Sequence, residues 1–116
     1  MAETVAYKVL TSVELAVLEG TGRFDGAPVD RADGYIHLST AAQLAETISK
    51  HFGGQEADIQ IVAIDLEALG NAVKWEPSRG GQLFPHVYAP LTLDVVIAYS
   101  PLAYEPDGSI RLPIAG

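Results

Sequence analysis

Two histidines stand in matching settings, His37 in Gly34-Tyr35-Ile36-His37-Leu38-Ser39-Thr40 and His86 in Gln82-Leu83-Phe84-Pro85-His86-Val87-Tyr88. Imidazole titrates near neutral pH and serves as acid, base, hydrogen-bond partner or metal ligand. Each histidine lies in a short strand-like run beside a polar, glycine-rich loop that carries arginine. Side chains alternate across a strand. Tyr35, His37 and Ser39 therefore share one face, with Ile36 and Leu38 opposite, and His86 and Tyr88 share another, with Val87 pointing away. Brought together across a sheet, the two polar faces would form a small site with imidazole, hydroxyl and phenol chemistry.

Each of these residues also has a plainer role open to it. The run holding His37 leads into a predicted helix N-terminus, where free N–H groups and the helix dipole favour an anion, and Ser39 stands at that mouth. Alternatively, His37 satisfies buried backbone groups at a strand end. His86 follows Pro85, which fixes its own φ and stiffens the chain. That rigidity suits a positioned functional group or a sharp corner in a bent sheet. Glu76 and Arg79 bracket the start of the second loop, where a carboxylate or guanidinium can orient an imidazole or clamp an anion, or the two pair with each other. Lys8, near the end of the first strand, faces either ligand or solvent. His51 reads as a surface residue at a helix C-terminus. Two histidines and an acid can hold a divalent ion, but their spacing matches no short metal motif, and no phosphate-loop, GxGxxG, GxSxG or HExxH pattern is present.

The elements that must position these groups follow from periodicity and punctuation. Val5 to Leu10 reads as a first strand. Thr11-Ser12-Val13-Glu14 forms a capping box, with Leu10 and Leu15 as its hydrophobic staple, and predicts a helix from Ser12 to Glu19 stopping at Gly20. Thr21 to Gly34 is polar and reads as a long loop, a length usually functional or mobile in compact domains. Tyr35 to Leu38 is the second strand. Thr40 to Gln43 forms a second capping box, and Ala41, Leu44, Ala45, Ile48 and Phe52 recur at helical spacing up to a Gly53-Gly54 stop. Asp58 to Leu66 is β-branched and apolar, a central strand, followed by a helical turn over Leu66 to Gly70. Ala72 to Glu76 alternates as a strand and Pro77 to Pro85 is a second loop. Strands are expected at His86 to Tyr88, Leu93 to Tyr99 and, past an Asp107-Gly108 turn, Ile110 to Leu112. Two main helices come early and the later half is nearly all strand, which predicts a single α+β domain over residues 1–116 with a largely antiparallel, bent sheet.

Composition limits the function classes. The 116 residues are 48% hydrophobic and 19% charged, the balance of a globular chain. No run approaches the roughly 18 apolar residues of a membrane span, and the N-terminus lacks the basic start and apolar core of a signal peptide, so the cytoplasm is the expected location. Cysteine is absent, which excludes disulfides, thiolate metal sites and a cysteine nucleophile. The net charge of −8 argues against nucleic acid as a partner, because that needs a basic face. Five of the seven cationic residues, Lys8, Arg23, Arg31, Lys74 and Arg79, fall in or beside the segments of interest. A small anionic molecule suits a cationic cleft in an acidic shell; dispersed solubilising charge is the alternative.

The motifs Gly34-Tyr35-Ile36-His37-Leu38-Ser39-Thr40, Trp75-Glu76-Pro77-Ser78-Arg79-Gly80-Gly81 and Phe84-Pro85-His86-Val87-Tyr88 together resemble domain-of-unknown-function family 952, small bacterial proteins, over nearly the whole chain. That family in turn resembles the ADP-ribosyltransferase-like superfamily, a split, bent α+β fold that binds NAD in a central cleft. Tyr7-Lys8-Val9-Leu10-Thr11 is similar to the first motif of the superfamily, with Lys8 in place of a histidine that meets the NAD ribose. Tyr35 to Thr40 is similar to the second, in which a tyrosine or histidine flanks nicotinamide and small hydroxyl residues, here Ser39 and Thr40, follow. Pro85-His86-Val87-Tyr88-Ala89-Pro90 is similar to the third, with His86 in place of the catalytic glutamate. RNA 2′-phosphotransferases of the same superfamily use histidine and arginine in place of that glutamate. The resemblance implies an NAD- or ADP-ribose-like ligand. His37 and His86 would take the catalytic roles, and Lys8, Ser39, Thr40, Glu76, Arg79 and Tyr88 the contacts to the ligand, in a divergent ADP-ribosyl- or phospho-transferase. The alternative is a non-catalytic module that binds a small anion or a protein partner.

Overall fold

Strand β4 (Ile59–Asp65) is buried on both faces, which is why its sequence reads as a nearly unbroken apolar run. It lies between β1 (Val5–Thr11) and β8 (Val96–Pro101) in an antiparallel three-stranded sheet. The computed structural model describes residues 4–53 and 58–113, apart from the side chain of Arg79. Helix α1 (Ser12–Thr21) leaves β1 through the expected capping box: Glu14 N–H donates to Thr11 Oγ1 at 3.2 Å, and Thr11 N–H donates to Glu14 Oε1 at 2.9 Å. Leu15 and Leu18 of α1 pack with Ala6, Leu10, Val62 and Ile64 on one face of the sheet. Helix α3 (Leu44–Phe52) covers the other face, with Leu44 and Ile48 against Tyr7, Val9, Ile61 and Ala63.

A second three-stranded antiparallel sheet carries the histidines. Its order is β3 (Ile36–His37), β6 (Leu83–Val87), β5 (Val73–Pro77). It joins the first sheet at one backbone bridge, where Tyr7 N–H donates to Ser39 O at 2.8 Å and Ser39 N–H to Tyr7 O at 2.9 Å. A two-stranded ribbon of β2 (Arg23–Phe24) and β7 (Leu91–Thr92) completes the strands, and α4 (Leu66–Leu69) follows β4. The chain is thus α+β with antiparallel sheets and four helices among the described residues.

Several boundaries differ from expectation. Helix α1 runs through Gly20 and ends at Thr21, because Gly22 takes the left-handed cap at φ 78° and donates its N–H to Leu18 O. The expected loop Thr21 to Gly34 instead holds β2 and a short helix, α2 (Pro28–Asp33). A 3-10 turn over Ala41–Gln43 precedes α3, with Thr40 N–H donating to Gln43 Oε1 at 3.0 Å. Of the expected Gly53-Gly54 stop, Gly54 lies outside the described residues. The second loop is shorter than expected because β6 begins at Leu83, ahead of Pro85. Pro85 is tolerated inside a central strand because its nitrogen shares an edge with its carbonyl, which accepts from Leu38 N–H just where β3 ends. A 3-10 turn over Leu93–Val95 replaces the start of the expected Leu93 to Tyr99 strand, and Ile110 makes only an isolated bridge to Tyr104. Among the described residues no helix is long and apolar enough to cross a membrane.

Candidate functional site

Strands β3 and β6 pair with His37 directly opposite His86 and Ile36 opposite Val87. Residues opposite one another in an antiparallel pair project from the same face. The apolar pair enters the core, and the imidazoles meet on the other side with ring centroids 5.4 Å apart and planes at 70°. Tyr35 stacks on His86 at 4.1 Å and 23°, and its ring lies 4.7 Å from that of His37 and 5.3 Å from that of Tyr88. Two histidines and two tyrosines therefore form one aromatic cluster, as strand alternation requires.

Helix α2 supplies what holds His37. Asp30, only 1% exposed, accepts four interactions. Its Oδ1 takes His37 Nδ1 at 2.6 Å and the His37 backbone N–H at 3.1 Å; its Oδ2 takes the Ala27 N–H at 2.8 Å and the Lys8 ammonium at 2.9 Å. Lys8, itself 6% exposed, also donates to His37 O at 3.1 Å. Asp33 meets the remaining ring nitrogen, Nε2, at 2.9 Å. Ionised carboxylates only accept, so both His37 nitrogens are satisfied together when both carry protons. Burial pushes the Asp30 carboxyl upward, but the His37 hydrogen bond, the Lys8 charge and the Ala27 N–H outweigh it and bring the pKa down to about 2.

A depressed carboxyl makes folding stability depend on pH. The Asp30 contribution is complete above the ordinary aspartate range and disappears as pH falls through about 2. From roughly two units at 1.36 kcal/mol each, it amounts to about 2.5 kcal/mol at neutral pH. Urea unfolding at steps from pH 5 to pH 2 should show the stability gap between the protein and its Asp30→Asn variant closing as pH falls. A gap that stays constant to pH 2 would refute the linkage.

His86 is held differently. Its Nδ1 lies 2.7 Å from Glu76 Oε1, and the same oxygen accepts the Tyr88 hydroxyl at 2.8 Å. These two hydrogen bonds lower the Glu76 pKa, while the bond to Glu76, aided by desolvation, pushes Tyr88 up to about 12. Burial, with Asp33 and Glu76 nearby, raises Tyr35 as well. The other ring nitrogen, His86 Nε2, is buried with no hydrogen-bond partner among the described residues. In the tautomer whose one ring proton is on Nδ1 and directed at Glu76, Nε2 is a bare lone pair.

The other sequence candidates divide. Glu76, Tyr88, His37 and His86 come together. Lys8 does not face open solvent; it neutralises Asp30 beneath His37. Ser39 is buried against α3, its Oγ 2.8 Å from Thr47 Oγ1, and Thr40 starts the turn before α3. The backbone of Arg79 lies in a 3-10 turn, and its side chain is outside the described residues. Of the other expected cleft cations, Arg23 pairs with Asp25 at 2.6 Å and Lys74 lies 5.6 Å over the Tyr88 ring. The helix mouth beyond His37 is thus occupied by backbone and side-chain hydrogen bonds, and the imidazole faces carboxylates. Sequence reasoning missed Asp30 and Asp33. Their signal was Pro28 at a first helical position, Asp30 two residues on and Gly34 at a C-cap. Beside the cluster lies a hollow of about 310 Å3, whose lining includes Asp25, Asp30, Arg31, Tyr35 and Tyr88. Neither imidazole lines it; Tyr35 stands between. Among the described residues no three histidine and carboxylate groups are placed to hold a metal ion.

Split antiparallel sheets with paired histidines at a strand junction define a small α+β protein built around one His–Tyr–carboxylate cluster. The chain belongs to the family described as a protein of unknown function, DUF952, whose model matches residues 9–99. It is similar to the crystal structure of protein CC0527 from Caulobacter crescentus, with 44% identity, a TM-score of 0.82, and coverage of 93% of this chain and 94% of that one. It is also similar to the solution NMR structure of the same Caulobacter protein, with 44% identity, a TM-score of 0.77, and coverage of 92% and 91%. No curated protein matches the chain.

Proposed function

We propose that the chain binds a nucleotide-type ligand of the NAD or ADP-ribose kind beside the paired histidines and acts on it as a divergent ADP-ribosyl- or phospho-transferase. The observation that carries this proposal is His86, with Nδ1 fixed by Glu76 and Nε2 buried and bare. Burying a ring nitrogen without a partner costs about 1–3 kcal/mol, and a donor brought by a ligand, such as a ribose hydroxyl, removes that cost. A general base must lie within hydrogen-bond reach of the proton it takes, and of the two histidines only His86 has a nitrogen free for this. His37 is engaged at both nitrogens, by Asp30 and by Asp33. Glu76 brings a carboxylate to the imidazole at the position where related folds use a glutamate directly. The resemblance of the three motifs and the split antiparallel sheet support the same reading.

The exposed groups at the rim, Asp33 and Glu76, are anionic. They favour an uncharged sugar or ring at the histidines over a phosphate. Closure of His86 beneath Tyr35 favours a second reading, a non-catalytic module for a small anion or a protein partner. Calorimetric titration with NAD and ADP-ribose, followed by NMR of the histidine ring signals, tests both. The proposal expects binding that shifts the His86 ring, with slow release of nicotinamide from NAD. Binding without release supports the module. No binding at millimolar ligand, with an unchanged melting temperature, overturns the nucleotide proposal.

A further inference from the structure

The hollow beside Tyr35 shares Asp25 and Arg31 with a second one, of about 400 Å3, between α1 and the segment around β2. Val13, Val17 and Phe24 give this second hollow its apolar lining. We propose that the two form one continuous groove, in which Arg31 takes the anionic centre of an elongated ligand and the Val13–Val17–Phe24 recess seats a flat ring at its far end. This inference rests on the nucleotide reading of the histidine site and names where the rest of that ligand goes.

Charge selects Arg31 as the anion site. Arg23 is neutralised by Asp25, and Asp30 by Lys8. Glu14 is used in the cap of α1. Arg31 donates its Nε to Gly26 O at 3.2 Å, and among the described residues its guanidinium makes no ion pair. The rest of that planar fork of donors suits a phosphate. Asp33 and Glu76 stand beside the histidines, outside the lining of either hollow, and as carboxylates they repel a phosphate there, which leaves Arg31 as its place.

Apolar exposure selects the ring seat. Val13 and Val17 are one turn apart on α1 and remain 72% and 48% exposed, although the helix buries Leu15 and Leu18 below them. Two bare valines that line a hollow next to an unpaired arginine offer a ring an apolar floor beside its phosphate. Ligand sites usually enclose roughly 300–1,000 Å3. Each hollow is near the lower end of that range, and joined they suit a two-part ligand.

NMR titrations with ADP-ribose, AMP and inorganic phosphate, following the Val13 and Val17 methyls and the His37 and His86 rings, test the groove. The inference expects AMP to move the valine methyls and leave the histidines, and ADP-ribose to move both. Arg31→Gln should weaken AMP and ADP-ribose tenfold or more, and Val17→Glu should weaken both with the fold intact, since both positions are exposed. If ADP-ribose shifts the histidine rings and leaves the valines, the groove is overturned and the histidine proposal stands. If the valines move and the histidines never do, the single groove and the histidine proposal fall together. Silence at both ends overturns both, and AMP binding unchanged in Arg31→Gln overturns the role of Arg31.

Discussion

Asp30→Ala is expected to lower the free energy of unfolding by about 3–5 kcal/mol. The size follows from what the carboxylate leaves behind. Lys8 would stay buried with its charge unpaired and only His37 O to receive it, and the Ala27 and His37 N–H groups would lose their acceptor. Removing one member of a buried pair costs far more than the pair itself contributes, because the uncompensated charge remains out of water. Helix α2 has six residues, too few to persist without tertiary ties, and Asp30 is its tie to both β1 and β3. Domains of this size hold only about 5–15 kcal/mol in total, so the variant would be close to unfolding. The double variant Lys8→Met/Asp30→Leu should recover part of the loss, since an apolar pair of similar volume replaces the charges while the two N–H groups stay unsatisfied. Urea unfolding of both single variants and the double one, followed by Trp75 fluorescence, gives the coupling directly. A cost below about 1 kcal/mol for Asp30→Ala would show that Lys8 finds water, and the buried pair would lose its structural importance.

The same carboxylate marks the limit of what the sequence reveals. Strand β1, the capping box of α1, the apolar stripe of α3 and the buried run of β4 all follow from local rules, because each has enough apolar periodicity to name its face. Alternation put His37 and His86 each on a polar face, but that β3 pairs with β6 and sets the two residues opposite one another is visible only in the structure. Helix α2 lacks that kind of signal. Its one fully buried side chain is Asp30, a charged residue in a polar stretch, and it is buried because Lys8, 22 positions earlier, waits beneath it. A buried ion pair leaves no hydrophobic pattern, so the residues that fix His37 looked like loop. Lys8 misled for the same reason: a lone cation on a strand reads as ligand contact or solvent until its distant partner is known. Pro85 hid the first half of β6, because tolerance of proline inside a strand depends on where the neighbouring strand stops.

His86→Phe is expected to leave stability within about 1 kcal/mol of the parent and to reduce ADP-ribose binding by at least tenfold. The balance comes from the two ring nitrogens. Losing Nδ1 removes a hydrogen bond to a carboxylate, worth roughly 1.5–3 kcal/mol, but Glu76 keeps the Tyr88 hydroxyl and stays partly open to water, so no buried acceptor is stranded. Losing Nε2 removes a buried polar atom without a partner, a gain of about 1–3 kcal/mol. Phenylalanine preserves the stack on Tyr35, and the pairing of β6 with β3 and β5 needs only the backbone at position 86. His37→Phe makes the contrast, because both nitrogens of His37 meet carboxylates and its loss leaves Asp30 and Asp33 short of a partner; there the fold itself should weaken by about 1–3 kcal/mol. Thermal unfolding and calorimetry on the two variants separate the roles. If His86→Phe cost more than about 2 kcal/mol, the imidazole would be a structural part of the sheet. If it bound ADP-ribose as tightly as the parent, the bare nitrogen would have no ligand to meet. A polar atom that can be removed at no cost to the fold is one the fold does not require, and the chemistry of the site is then the reason it is there.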